Sequence, residues 1–307
     1  KNIHLEQWSQ SAWLKSYFKS AEGLRGSSDV EAWFDWQKTK ISAIEGRWQL
    51  RHVQCLKNVK PLVTISAMHG FFSWHASDHV WDFEARPFHV AFPALYRLPL
   101  SVKTLNAHFQ WRHADLIDQL YVSNYQWDID SLQSWGQFNL RLPKPGKPTI
   151  DWLSHYRLLQ LAKIPRLSAD AHRSLSSAKW LNHAKFQGSL AKGTLVYRGP
   201  IEAMPFQQHD AHLTAEFQVR RAGLHYNGDW PALSHLNSDI EVNNRQISAV
   251  FRHARIGHIA VQKITASIHD ILHPNLLIDS TIKTTLAAVD DFLKASPMVL
   301  SYKKSWL

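Results

Sequence analysis

Nineteen histidines in 307 residues supply many groups that can bind a metal or move a proton near neutral pH. The tightest groupings are His75 and His79 in HASDH, His209, Asp210 and His212 in HDAH, and His269, Asp270 and His273 in HDILH. Two imidazoles four residues apart share one face of a helix, an arrangement that zinc sites use. The stretch ITASIHDIL alternates as a strand does, however, and a strand sets positions 269 and 273 about 13 Å apart. Solvated surface histidines are the simpler reading, and no metal is expected.

Nucleophilic chemistry has less to stand on. Cys55 is the single cysteine, so an intrachain disulfide or a multi-thiolate zinc site is impossible. It lies in RHVQCLKN, without a recognisable active-site context. There is no Gly-x-Ser-x-Gly elbow and no glycine-rich phosphate loop. Asp290 and Asp291 read as the exposed face of a helix. The expectation is a non-enzymatic protein with no catalytic residue and no cofactor.

The charge points toward an anionic partner. A formal net charge of +10 and a pI near 9.6 suit nucleic acid or a lipid headgroup surface. Basic and aromatic residues interleave in FQWRH (109–113) and FRHAR (251–255), as in single-strand binders. The charges are spread along the whole chain, which makes nucleic acid the weaker choice. No apolar run approaches the ~20 residues that span a bilayer, and no signal peptide is visible. The chain starts at Lys1 and reads as a piece of a longer or processed protein whose targeting segment lies outside it.

Any such surface must be positioned by the elements, which are mainly β with some α. Residues 5–20 space Leu5, Trp8, Trp13, Tyr17 and Phe18 as an amphipathic helix does, within a helical N-terminal segment over 1–43. Short strands follow over 44–142: RWQLRHVQC, PLVTISA, VWDFEA, PFHVAF, LSVKTLNAHFQW, LYVSNYQWDI and SWGQFNLRL. PKPGKP (143–148) tolerates neither helix nor central strand and opens a linker and helical insertion over 143–187. Helices are expected there in TIDWLSHYRLLQLAKI and SADAHRSLSSAKWLNHAKF. A second β unit fills 188–307 and ends in the helix TLAAVDDFLKAS, stopped at Pro297. Residues 100–129 can be laid against 233–261 as a repeated meander, which favours an extended antiparallel sheet over a parallel core.

HLTAEFQVRRAGLHYNGDWPAL (212–233) has the clearest alternation. Leu213, Ala215, Phe217 and Val219 fall on one side, and Thr214, Glu216, Gln218 and Arg220 on the other. Leu236, Ile240 and Val242 alternate in the same way with Asn237, Asp239 and Glu241. A filled core and an open apolar groove both produce this pattern.

GTLVYRGPIEAMPF (193–206), LHYNGDWPAL (224–233) and VDDFLKASPM (289–298) together resemble the YhdP group of the AsmA-like proteins of Gram-negative bacteria. The order and spacing of these pieces match. Ala203-Met204 depart from the acidic residue and Phe of that pattern. The resemblance implies an elongated, curled antiparallel sheet forming a β-groove, in a periplasmic protein tethered to the inner membrane by an N-terminal segment outside this chain. It implies a bridge along which phospholipids move between inner and outer membranes. Leu213, Ala215, Phe217, Val219, Leu236, Ile240 and Val242 would then face phospholipid acyl chains. The competing readings are a basic nucleic-acid-binding β-protein and a structural envelope scaffold without lipid flux.

Overall fold

The computed structural model describes residues 2–4, 23–57, 60–77, 79–93, 98–163, 184–201, 210–225, 230–273 and 275–297. Sixteen strands form an antiparallel sheet, and the chain divides between Thr149 and Ile150 into two compact units.

The first unit holds β1 (Asn2–His4), β2 (Gly23–Gln37), β3 (Lys40–Lys57), β4 (Lys60–His75), β5 (Val80–Ala85), β6 (Phe88–Ala91), β7 (Leu100–His113), β8 (Ile117–Ile129) and β9 (Leu132–Pro143). Strand order follows the sequence except that β6 lies off the path and pairs with β4 and β7. Tight turns make this order natural. Asp130 and Ser131, with φ of 48° and 78°, join β8 to β9 through two left-handed residues, whose twist matches that of the flanking strands.

The core of this unit is built where β6 folds in. Phe88 and Val90 pack with Trp48, Met68, Ala85, Leu100 and Val102, all buried. Trp48 stacks on Phe83 with ring centroids 4.9 Å apart. Gly70 sits opposite Trp48 in the register, and a Cβ there would come within 2.8 Å of the indole.

The second unit holds β10 (Thr149–Leu158), a 3-10 turn (Leu161–Lys163), β11 (Lys185–Pro200), β12 (His212–His225), β13 (Leu233–Asn243), β14 (Gln246–Ile256), β15 (Ile259–Ile268), β16 (Leu276–Ile282) and α1 (Leu286–Lys294). Strand order again follows the sequence. Strand β16 ends that order and is exposed along its whole length.

A crease crosses four of these strands. Gly188 in β11, Arg221 in β12, His235 in β13 and His253 in β14 have φ of 102°, 47°, 55° and 60°. They are neighbours: a Cβ on Gly188 would meet the Arg221 carbonyl at 2.9 Å, and Arg221 N–H donates to Asn237 Oδ1 at 3.0 Å. The ladder loses register between Gln187 and Ser189 and between Val219 and Ala222. These are β-bulges, which bend a strand and increase its twist. Histidine tolerates the left-handed region better than most side chains.

Three features differ from expectation. Gly23–Gln37 is a strand, which corrects the helical reading of 1–43 over that stretch: Val30, Ala32 and Phe34 alternate with Glu31, Trp33 and Asp35. Thr149–Leu158 is a strand too, not the first helix of an insertion. Ile150, Trp152, Ser154, Tyr156 and Leu158 share one side there, and their β-branched and aromatic character outweighs the N-cap signal before them. Residues 233–261 contain three strands where 100–129 contain two, because the turn at Asn244 adds a hairpin. The helices expected over 5–20 and within 168–186 lie outside the described residues, save that Ala184 is buried just before β11 and Lys185 and Phe186 open that strand. The C-terminal helix is where it was expected.

Candidate functional site

The register extends the alternation within single strands into a surface. Ala215 faces Val242 and Phe217 faces Ile240 across β12 and β13. Directly opposed residues of an antiparallel pair project to the same side of the sheet. Val242 then faces Ile247, and Ile240 faces Ala249. Ile247 faces Ile268 and Ala249 faces Ala266, which in turn faces Ile278. In the other direction Leu213 faces Tyr197 and Ala215 faces Leu195. One side of β11–β16 is therefore apolar from strand to strand.

All seven sequence-selected residues belong to it. Ala215 and Leu236 are buried, while Leu213, Phe217, Val219, Ile240 and Val242 are partly buried. Leu236 faces Ala222 beyond the Arg221 bulge, and Val219 faces the buried Ser238. At the edge, Leu276 and Ile278 are 56% and 63% exposed. The opposite side is polar and ion-paired: Asp239 lies 2.9 Å from Arg252 and 3.6 Å from Arg220.

The first unit repeats this division with aromatic side chains. One row runs Ile44, Trp74, Trp81, Phe109, Val122 and Phe138. A neighbouring row runs Gly46, Phe72, Phe83, Ala107 and Tyr125. Sequence selection missed this face, although GFFSWH, VWDFEA and LNAHFQW each carry the alternation. The other side carries Glu45, Ser73, Asp82 and His108 in register.

Recesses open on both sides of the first unit. The larger, about 610 Å³, is on the polar side and is lined by Trp33, Phe71, Arg47 and the carboxylates of Glu45, Asp82 and Glu84 among others. Asp82 Oδ1 pairs with His108 Nδ1 at 2.7 Å within it. The smaller, about 510 Å³, lies on the apolar side against Ile44, Trp74, Trp81 and Trp111. Their linings differ: the first mixes the Arg47 guanidinium, three carboxylates and the exposed Trp33 and Phe71, and the second is walled by indoles, which accept an apolar ligand.

The histidine groupings do not converge. His75 and His79 are exposed at the β4–β5 turn, and the His79 ring lies 6.1 Å from that of Trp74. His212 Nε2 is 2.8 Å from Thr214 Oγ1, and His209 lies outside the described residues. His269 is exposed, whereas His273 and Arg245 flank Asp270 at 3.4 and 3.5 Å. The Leu272 N–H donated to Asp270 is the first cause of its lowered pKa, with His273 and Arg245 adding to it. Among the described residues no group of three or more His, Cys, Asp or Glu is arranged to hold a metal ion. Burial pushes the Cys55 thiol up, and burial with nearby Asp210 does the same to Tyr197.

A family model described as YhdP protein matches residues 83–305, which covers most of the chain. The chain belongs to the YhdP family. The match takes in the apolar face of β11–β16 and the strands β7–β9. Within the family, the Escherichia coli (strain K12) protein named "Intermembrane phospholipid transporter YhdP" is 22% identical over 207 residues. That alignment covers 67% of this chain and 16% of the longer relative. No solved structure gives a significant match to this YhdP-family chain. Among its described residues no helix is long and apolar enough to cross a membrane.

Proposed function

We propose that this YhdP-family chain is a non-enzymatic lipid carrier. It is an interior segment of a periplasm-spanning bridge that moves phospholipids between inner and outer membranes along a hydrophobic groove. In this reading the parent protein is tethered to the inner membrane by an N-terminal segment, and membrane contacts are made by parts of the parent outside these residues. The observation that supports it is the one-sided apolar face, carried from strand to strand by the register in each unit and left partly open to solvent. A relative named as an intermembrane phospholipid transporter supports the substrate class.

The energetics suit exchange with a bilayer. An acyl chain of about 16 carbons, at ~0.8 kcal/mol per methylene, gains roughly 13 kcal/mol on burial, close to what it loses on leaving the membrane. Transfer along a uniform apolar face is then nearly isoenergetic. The headgroup stays at the rim in water, which avoids the cost of desolvating its charge.

The test places a photoreactive residue at 217 or 240 and a charge at Phe217. Lipid adducts at either position are expected. Phe217→Asp should block lipid passage at a stability cost of about 1–2 kcal/mol, because the partly open site lets the carboxylate reach water. Adducts elsewhere but at neither position would overturn the assignment of this face. A loss of several kcal/mol in Phe217→Asp would mark a closed core instead.

A further inference from the structure

The polar side of the first unit carries adjoining cross-strand rows. One runs Trp33, Glu45, Ser73, Asp82, His108 and Asn124 from β2 to β8. Two residues along each strand, the next runs Arg47, Phe71, Glu84, Asn106, Gln126 and Trp135 from β3 to β9. A step of two residues keeps both rows on one side of the sheet. All of these residues except Trp135 line the recess of about 610 Å³. A further recess of about 470 Å³ shares with it the wall made by Arg47 and Phe71.

Aromatic rings stand open among these polar groups. Trp33 is 50% exposed, Phe71 41% and Trp135 43%. Arg47 lies 5.5 Å from the Trp33 ring centroid and Arg86 5.6 Å from that of Phe71, which steadies the rings and sets donors beside them. Carboxylates in the lining only accept hydrogen bonds, the Arg47 guanidinium only donates, and Ser73, Asn106, Asn124 and Gln126 do both. An anion entering the recess meets Glu45, Asp82 and Glu84, and a cation meets Arg47. An uncharged ligand rich in hydroxyls suits the whole lining, because each hydroxyl both donates and accepts. A sugar ring also presents an apolar C–H face, which packs on the negative face of an aromatic ring. Strands advance ~4.8 Å each, close to the length of one pyranose. Phe71 on β4 and Trp135 on β9 are four strand intervals apart, which suits the two ends of a short linear saccharide.

We propose that these rows bind an uncharged linear saccharide of about four rings, laid across the strands with sugar faces on Trp33, Phe71 and Trp135 and hydroxyls on the residues between them. The site lies on the side of the sheet opposite the apolar row of Trp74, Trp81 and Phe109, and it stands apart from the carrier reading above. It gives the first unit a second ligand, so that the same strands hold a glycan on one side and present an apolar surface on the other.

The test labels the chain with 5-fluorotryptophan, assigns fluorine resonances through Trp33→Phe, Trp135→Phe and Trp81→Phe, and titrates in chitotetraose, cellotetraose or maltotetraose. Saturable shifts of the Trp33 and Trp135 resonances are expected with at least one of these, while Trp81, on the opposite side, stays in place. Trp33→Ala should weaken that binding about tenfold and Trp33→Phe much less, because a phenyl ring keeps the stacking face. Asn106→Ala should weaken it about fivefold, the scale of one neutral hydrogen bond. Since Trp33 and Asn106 are exposed, circular dichroism of these variants should match the parent. No saturable shift with any of the three saccharides would overturn the proposal, as would shifts confined to Trp81. Salt-sensitive binding of the deacetylated, cationic tetraglucosamine, with none of the uncharged saccharides bound, would reassign the recess to a cation and overturn it as well.

Discussion

Two of the histidines shape the backbone of the crease. His235 and His253 occupy left-handed positions of the crease, where a Cβ costs about 1–2 kcal/mol that glycine avoids. His253→Gly should therefore be neutral or stabilising by up to ~1 kcal/mol, and His253→Val should destabilise by about 1–2 kcal/mol, read as shifts in the denaturation midpoint. Asp270 shows a residue-scale dependence on pH. Its folded pKa is lowered, first by the Leu272 N–H, so its stabilisation is present above the unfolded value near 4 and is lost as pH falls through the folded value. Asp270→Asn should flatten the acid limb of the stability profile below about pH 4 and leave its neutral region level. Cys55, with its thiol pushed up by burial, should alkylate more slowly at pH 8 than a free thiol does. At this scale the sequence identified the alternating side chains and concealed the crease, because nothing in RRAGLH or LSHLNS marks Arg221 or His235 as left-handed.

Among the elements, legibility followed hydrogen bonding. The strands from β3 to β9 were readable because each alternates over a half-buried surface and stops at Gly, Pro, Asn or Asp. Strand β10 was not: Trp152, Leu153 and Tyr156 also fit a helical stripe, and only pairing with another strand breaks the tie. Pairing partners are equally hidden. Phe217 meeting Ile240 depends on residues lost and gained at the Arg221 bulge, which single-strand alternation does not record. Helix α1 was readable from both ends, since Thr285 caps it by accepting from Ala288 N–H at 3.3 Å and Pro297 follows. The helix turns Phe292 toward Trp230, with ring centroids 6.2 Å apart. Thr285→Ala should cost about 1 kcal/mol of helix stability, measured as faster amide exchange over 286–294 with the strands unchanged.

At the scale of the whole molecule, the net charge of +10 and the apolar faces make separable demands on a partner. Phosphate contacts to a nucleic acid weaken steeply with salt, whereas acyl-chain burial does not. Raising salt from about 50 to 200 mM should release any bound single-stranded DNA by several orders of magnitude and leave retained phospholipid unchanged, as read by filter binding and lipid extraction. Family membership was legible in three short stretches of the second unit, whereas the aromatic face of the first unit became evident only once β3, β4, β5 and β7 stood side by side. Strand β16 brings a practical consequence for handling. Its open rim shows backbone donors and acceptors beside Leu276, Leu277 and Ile278, the combination that recruits a second copy and seeds precipitation. Purified material should sediment as larger species as its concentration rises, and Ile278→Lys should keep it monodisperse by making the rim repel its own kind.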